Sequence, residues 1–133
     1  MAHNDKDLLL KDLCARLPYG VWIEAKLKDR PFSAKCMLNA RNAGDIALIE
    51  IGQYDFYKPY LFPLSSMTEE QLYSNPIGFS QMLTIKADRD WENITINRRA
   101  YYKLVDWFNK NHFDYRGLIP MGLAIDATGL NIY

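Results

Sequence analysis

The apolar residues of this chain change period at Tyr19, and no other feature narrows so far what it can become. Before that point Leu10, Leu13, Cys14 and Leu17 recur at helical spacing and mark one face of a helix. Asn4 is placed to cap it, Asp5 and Asp7 lie near its positive end, and Pro18 stops it. From Val21 the pattern alternates. Val21, Ile23, Ala25 and Leu27 face one way and Trp22, Glu24, Lys26 and Lys28 the other, as in a half-buried strand. A striped helix followed by a one-sided strand has to bury both apolar faces in common layers, which puts the chain in the α+β class.

Asp29-Arg30-Pro31 turns the chain into a second alternating run, with Phe32, Ala34, Cys36, Leu38 and Ala40 on one face and Ser33, Lys35, Met37 and Asn39 on the other. Asn42-Ala43-Gly44-Asp45 supplies the next turn, and Ile46 to Ile51 reads as a third strand. A fourth extended segment, Phe56 to Leu64, contains Pro59 and Pro63, which cannot donate to a ladder and so place it at an edge. With Gln81 to Ala87 as a possible fifth, the expectation is a four- to five-stranded antiparallel meander or small barrel.

Two helices pack with it. Thr68 and Gln71 form a capping box, Met67 and Leu72 have the spacing of a hydrophobic staple, and Asn75-Pro76 keeps that helix short. Asn97 caps a longer amphipathic helix with Tyr101, Leu104, Val105 and Phe108 on its buried face and Asn111 at its C-cap. Beyond Tyr115, Gly117, Pro120, Gly122 and Gly129 punctuate an apolar loop or short strand around Leu123 to Ile125 that closes over the sheet. The 133 residues carry no repeat and no linker, so one domain is expected.

Composition trims the functional options. Sixteen basic residues balance sixteen acidic ones, leaving no global field to draw the chain onto nucleic acid or an anionic membrane. Leu8 to Leu10 is too short for a signal-peptide core, and no run approaches the roughly 20 apolar residues of a membrane span. Cys14 and Cys36 fall on apolar stripes and are expected to be buried and reduced, as in a cytoplasmic protein. There is no glycine-rich phosphate loop, no GxSxG, no HExxH and no Cys/His cluster. No cofactor and no metal is expected, and the balance leans against an enzyme.

Three groups of side chains remain as candidates. His112, Asp114, Tyr115 and Arg116 gather an imidazole, a carboxylate, a phenol and a guanidinium within five residues. They either form a site or close the preceding helix, a cationic His112 facing its negative end and Asp114 bonding its own loop or Arg116. Arg98 and Arg99, with Lys103 one turn on, stand where the helix dipole disfavours cations, which calls for a counterion. Asp88, Asp90 and Glu92 can supply it internally; a phosphate or an acidic protein surface can supply it from outside. Asp88-Arg89-Asp90 itself reads as a solvated turn, since two carboxylates around an arginine make a poor divalent-cation site. Lastly, Trp22, Tyr54, Phe56, Tyr57, Tyr60 and Phe62 cluster on or beside strands, Tyr102 and Trp107 lie off the main helical stripe, and Lys26, Lys28, Lys35 and Lys58 are near. Such a set serves as core, as a protein interface or as a stacking platform for single-stranded nucleic acid.

Two blocks carry a resemblance. Lys58 to Glu70 (KPYLFPLSSMTEE) and Asp106 to Ile119 (DWFNKNHFDYRGLI), with Gly122-Leu123-Ala124 after it, are similar to paired segments of small uncharacterised proteins from phage or prophage-like regions of gut Bacteroidetes. The helix-to-strand passage from Leu13 to Val21 also resembles theirs. Phe62 stands where that family commonly has Arg, which weakens an anion-binding role for that strand. The resemblance implies a cytoplasmic protein of mobile-element origin and no particular activity. The function expected is that of a non-catalytic binding or accessory protein, engaging a protein partner or itself through the strand-four aromatics Tyr57 and Tyr60 and the His112–Arg116 loop. The alternatives are a nucleic-acid binder using aromatics with Lys26, Lys28, Arg98, Arg99 and Lys103, and an enzyme centred on His112, Asp114 and Arg116.

Overall fold

The computed structural model describes residues 3–42, 44–50, 52–88 and 96–133. Helix α1 (His3–Arg16) leads into strands β1 (Val21–Leu27) and β2 (Ala34–Leu38). A single 3-10 turn (Ala40–Asn42) and helix α2 (Gly44–Glu50) come before strand β3 (Tyr54–Leu61). Another 3-10 turn (Leu64–Ser66), helices α3 (Glu69–Ser74), α4 (Phe79–Asp88) and α5 (Arg98–Lys110), and a two-residue strand β4 (Ile125–Asp126) complete the order.

The change of period at Tyr19 falls between α1 and β1 as expected. Gly20 makes the turn possible: its φ of 80° is left-handed, its N–H reaches Arg16 O at 2.9 Å, and a Cβ there would meet Met37 Sδ at 2.9 Å. The buried face of α1 differs from the expected stripe. Leu9, Asp12, Leu13 and Arg16 point inward, whereas Cys14 is exposed and Leu10 and Leu17 are only half-buried.

The sheet is open and mixed, in the order β2-β1-β3-β4, and the antiparallel meander or barrel is not formed. β1 pairs antiparallel with β2 and β3, while β4 runs parallel to β3, with Tyr60 opposite Ile125 and Leu61 opposite Asp126. Ile46 to Glu50 belongs to α2 instead of a strand. Ile46 and Ile49 are both buried, and residues three apart share a face only in a helix. The same geometry corrects the fifth strand: Met82 and Ile85 of α4 are both buried. β3 is internal, not an edge. Pro59 is accommodated because β4 is so short that its pairing begins one residue further on, at Tyr60.

Two cores result. The first lies between α1, α2 and the sheet, around Leu9, Leu13, Ile23, Leu38, Ile49 and Leu61. The second gathers α3, α4 and α5 around Leu72, Met82, Leu104, Phe108, Phe113 and Tyr115. The Thr68–Gln71 capping box and the Asn97 cap are formed, and Met67 and Leu72 share the second core. Burying a side chain such as Phe108 contributes about 1.5–3 kcal/mol, against about 1 kcal/mol for a cap, so packing positions these helices and the caps set their ends. Tyr101, expected on the buried stripe of α5, is exposed; Leu104 and Phe108 carry that face. Among the described residues no helix is long and apolar enough to cross a membrane.

Candidate functional site

The cluster expected at the end of α5 separates into individual contacts. His112 takes a left-handed backbone, φ 62°, just past the Asn111 C-cap, and this turns the following residues back towards the sheet. Phe62 N–H then donates to His112 O and Asp114 N–H to Phe62 O, each at 2.8 Å. The His112 ring stacks on Tyr133 with centroids 3.6 Å apart. Burial, reinforced by the charge of Arg16, lowers its pKa from 6.5 to about 4, so it is neutral at neutral pH and is not the cationic helix cap expected. Tyr133, not singled out in the sequence, donates its hydroxyl to Tyr60 O at 2.8 Å and accepts from Trp22 N–H at 3.0 Å. It bridges β1 and β3 just beyond their last paired residues, Ile23 and Pro59. Burial pushes its phenol up to about 12, against a smaller opposing effect of the Trp22 N–H.

Asp114 is buried and uses both carboxylate oxygens on its own loop, accepting from Leu118 N–H and Ile119 N–H at 2.8 Å each. Tyr115 is buried against Phe108, ring centroids 5.4 Å apart, with the guanidinium carbons of Arg16 and Arg116 5.3 and 4.9 Å from its ring. Arg116 donates Nε–H to Asp12 Oδ1 at 3.1 Å and Nη2–H to Tyr115 Oη at 3.1 Å. Arg16 completes the group: Nε–H to Asp12 Oδ2 at 2.8 Å, Nη2–H to Asp12 Oδ1 at 3.1 Å and to Phe113 O at 2.7 Å. Asp12 and Arg16 have no exposed surface. This buried carboxylate and its two guanidiniums join the cores where α1 meets the loop after α5. The sequence signal was an Asp/Arg pair four residues apart in line with Leu9 and Leu13. His112, Asp114 and Arg116 thus face different partners.

The other candidates lie elsewhere. Arg98 and Arg99 are exposed at the start of α5, and Arg99 and Lys103 line a shallow hollow of about 350 Å³ with Pro76, Asn97 and Ala100. Residues 89–95, with Asp90 and Glu92, and the side chain of Asp88 lie outside the described residues, so the expected pairing falls there too. Tyr57 points into the first core, where burial raises its pKa and its hydroxyl has no hydrogen-bond partner among the described residues. Tyr60 is half-buried on the opposite face, its pKa raised by burial first and by Glu24 second. By strand alternation and register that face also carries Trp22, Met37, Phe56, Lys26, Lys35 and Lys58, with Glu24 among them. Lys35 Nζ sits 5.2 Å from the Trp22 ring, and Lys26 pairs with Asp55.

Among the described residues the most exposed large apolar side chain, Phe32, is at the far end of the hairpin. Along β2, burial falls from Leu38, fully enclosed, to an exposed Ala34. Ala25, Leu27, Ala34, Cys36 and Tyr54 line a hollow of about 440 Å³, rimmed by Arg30 and by Phe32, whose side chain is 81% exposed. Sequence alternation had placed Phe32 with the core-facing residues; α1 and α2 cover the other end of the sheet, so it projects into solvent. Among the described residues no group of three or more His, Cys, Asp or Glu is arranged to hold a metal ion. No family model, curated protein or solved structure matches this chain.

Proposed function

We propose that this chain is a non-catalytic protein-binding or accessory domain, acting in the cytoplasm and originating from a phage-like element of Bacteroidetes. The observation that carries the binding reading is Phe32. A phenylalanine 81% exposed at the rim of an apolar hollow offers surface that a partner can bury, and aromatics concentrate at protein interfaces. The polar residues that suggested chemistry, by contrast, support reading that region as structure: Asp114 holds its loop and Arg116 holds Asp12. The two sequence blocks support the origin, and the absence of a membrane-spanning helix among the described residues agrees with the location.

Affinity capture from the source cells with wild-type and Phe32→Asp baits tests the binding reading. A protein retained by the wild type and lost by the variant is the expected result. Retention that ignores the substitution, or no retained protein at all, sinks it. One observation favours a second reading. Trp22, Phe56 and Tyr60 share a sheet face with Lys35 and Lys58, an arrangement able to stack bases. That reading requires salt-sensitive binding of single-stranded oligonucleotides, and fluorescence anisotropy showing none at low salt removes it.

A further inference from the structure

Tyr133 reaches back to the sheet where the β1–β3 ladder stops. In that register Trp22 and Tyr60 follow Ile23 and Pro59, but the pairing ends before them. The Tyr133 hydroxyl stands in place of the next rung, accepting from Trp22 N–H at 3.0 Å and donating to Tyr60 O at 2.8 Å. Its ring lies on His112 with centroids 3.6 Å apart, and 5.8 Å from the Phe62 ring. The chain leading to it is lightly held. Ala127 is buried and donates its N–H to Leu61 O, whereas residues 128–131 are exposed and belong to no helix or strand. Residues 127–133 thus form a strap fastened at its two ends, by Ala127 on β3 and by Tyr133 between β1 and β3.

The Tyr133 fastening suits a neutral His112 and no other. The imidazole Nδ1 is buried and has no hydrogen-bond partner among the described residues. In a neutral ring this nitrogen can be a bare acceptor; in the imidazolium it carries a proton, and a buried charged donor without an acceptor is costly. The surrounding charges give no relief. Arg16 on α1 is a like charge, and its own Nη1 is buried with no partner among the described residues. Asp12 already accepts from Arg16 and Arg116, and Asp114 from the Leu118 and Ile119 amides. On the sheet side Tyr60 meets Tyr133 through its backbone carbonyl, and Glu24 acts on Tyr60. Lifting the Tyr133 ring uncovers the imidazole and admits water to it. We propose that residues 128–133 are an acid-released strap: protonation of His112 frees Tyr133 from the β1–β3 gap and uncovers Trp22 N–H, Tyr60 O and the Phe62 ring where the two cores meet. Burial first, and the charge of Arg16 second, lower the pKa of the covered ring from 6.5 to about 4. The closed strap is therefore fully favoured above pH 6.5 and loses that advantage as pH falls towards 4. Between pH 7 and pH 5 the released fraction rises by about tenfold. The strap works within the isolated chain, whether or not Phe32 engages a partner.

NMR of the full chain, labelled at histidine and at leucine methyls and recorded from pH 7 to pH 4, provides the test; His3 gives the second histidine signal. At pH 7 the His112 ring protons should lie upfield, under the ring current of Tyr133. That displacement should vanish along the His112 titration, while the methyl signals of the buried Leu9, Leu13 and Leu104 stay in place. Tyr133→Phe keeps the ring and removes both hydrogen bonds, so it should raise the His112 midpoint by about one pH unit, towards that of a free histidine. An upfield displacement that survives protonation, a midpoint unmoved by Tyr133→Phe, or loss of the core methyl signals at the same pH overturns the proposal. If Tyr133→Phe does not fold, the wild-type titration decides alone: ring release with the cores intact supports the strap, and any other course removes it.

Discussion

The two ends of the hairpin teach opposite lessons about polar and apolar groups. Near Val21 and Leu38 the molecule is closed. There Asp12 and Arg16 carry full charges in the interior, and Asp12 accepts from two guanidiniums. At the other end, a few residues along the same strands, the apolar Phe32 lies in solvent beside the exposed Arg30 and Ala34. Charges inside with partners and an aromatic outside without cover invert the usual distribution. The first arrangement serves the fold, since its groups satisfy one another. The second is what remains once α1 and α2 have covered only part of the sheet.

If that contrast is sound, substitutions at the closed end should unfold the protein and those at the open end should leave it folded. Asp12→Ala should have the largest effect, about 3–5 kcal/mol by chemical denaturation, because it strands Arg16 inside without its counterion. Replacing the pair together, Asp12→Leu with Arg16→Met, should recover much of that loss. A cost below about 1 kcal/mol for Asp12→Ala would erase the distinction between the two ends. Asp114→Ala should follow at about 2–4 kcal/mol, since it removes two charge-assisted bonds to the Leu118 and Ile119 amides.

The third effect depends on pH. His112 titrates near 6.5 unfolded and about 4 folded, so between those values the unfolded chain binds more protons and stability falls as pH falls. The loss begins below pH 6.5 and saturates near pH 4. It should reach on the order of 1–2 kcal/mol once solvent screening is allowed for. Thermal melts of His112→Asn, a residue that tolerates positive φ, should show a flatter pH dependence from 6.5 to 5 than the wild type. The smallest stability effect belongs to Phe32→Asp, within about 0.5 kcal/mol. Its expected consequence is lost binding at unchanged melting temperature, and a large drop in that temperature would mean that Phe32 belongs to the fold.

What the sequence made legible was local. The α1-to-β1 switch, the alternation of β1, the capping box of α3 and both ends of α5 follow from neighbours a few residues apart. Short apolar runs containing isoleucine were not legible. Ile46 to Ile51 and Gln81 to Ala87 have strand composition, but their burial has the three-residue spacing of helices α2 and α4. The parallel placement of β4 beside β3 depends on residues more than sixty apart, which no local pattern encodes. In the candidate sites, His112, Asp114 and Arg116 drew notice as an unusual run; Asp114 does bond its own loop, but Tyr133, the partner of His112, and Asp12, the partner of Arg116, are distant in sequence. Asp12 and Arg16 drew no notice in the sequence, since the groups that make their burial possible, Arg116 and Phe113 O, lie about a hundred residues away.

The bond between Asp12 and Arg116 spans 104 positions, and that separation has a consequence for how the protein comes into being. The carboxylate at the heart of the junction sits in α1, and one of its two cationic partners is synthesised 104 residues after it. Until residue 116 has left the ribosome, α1 has a charged, half-apolar face with no finished surface to dock on. Contacts this distant in sequence are slow to close, and an early helix left waiting is where association with chaperones or neighbouring chains begins.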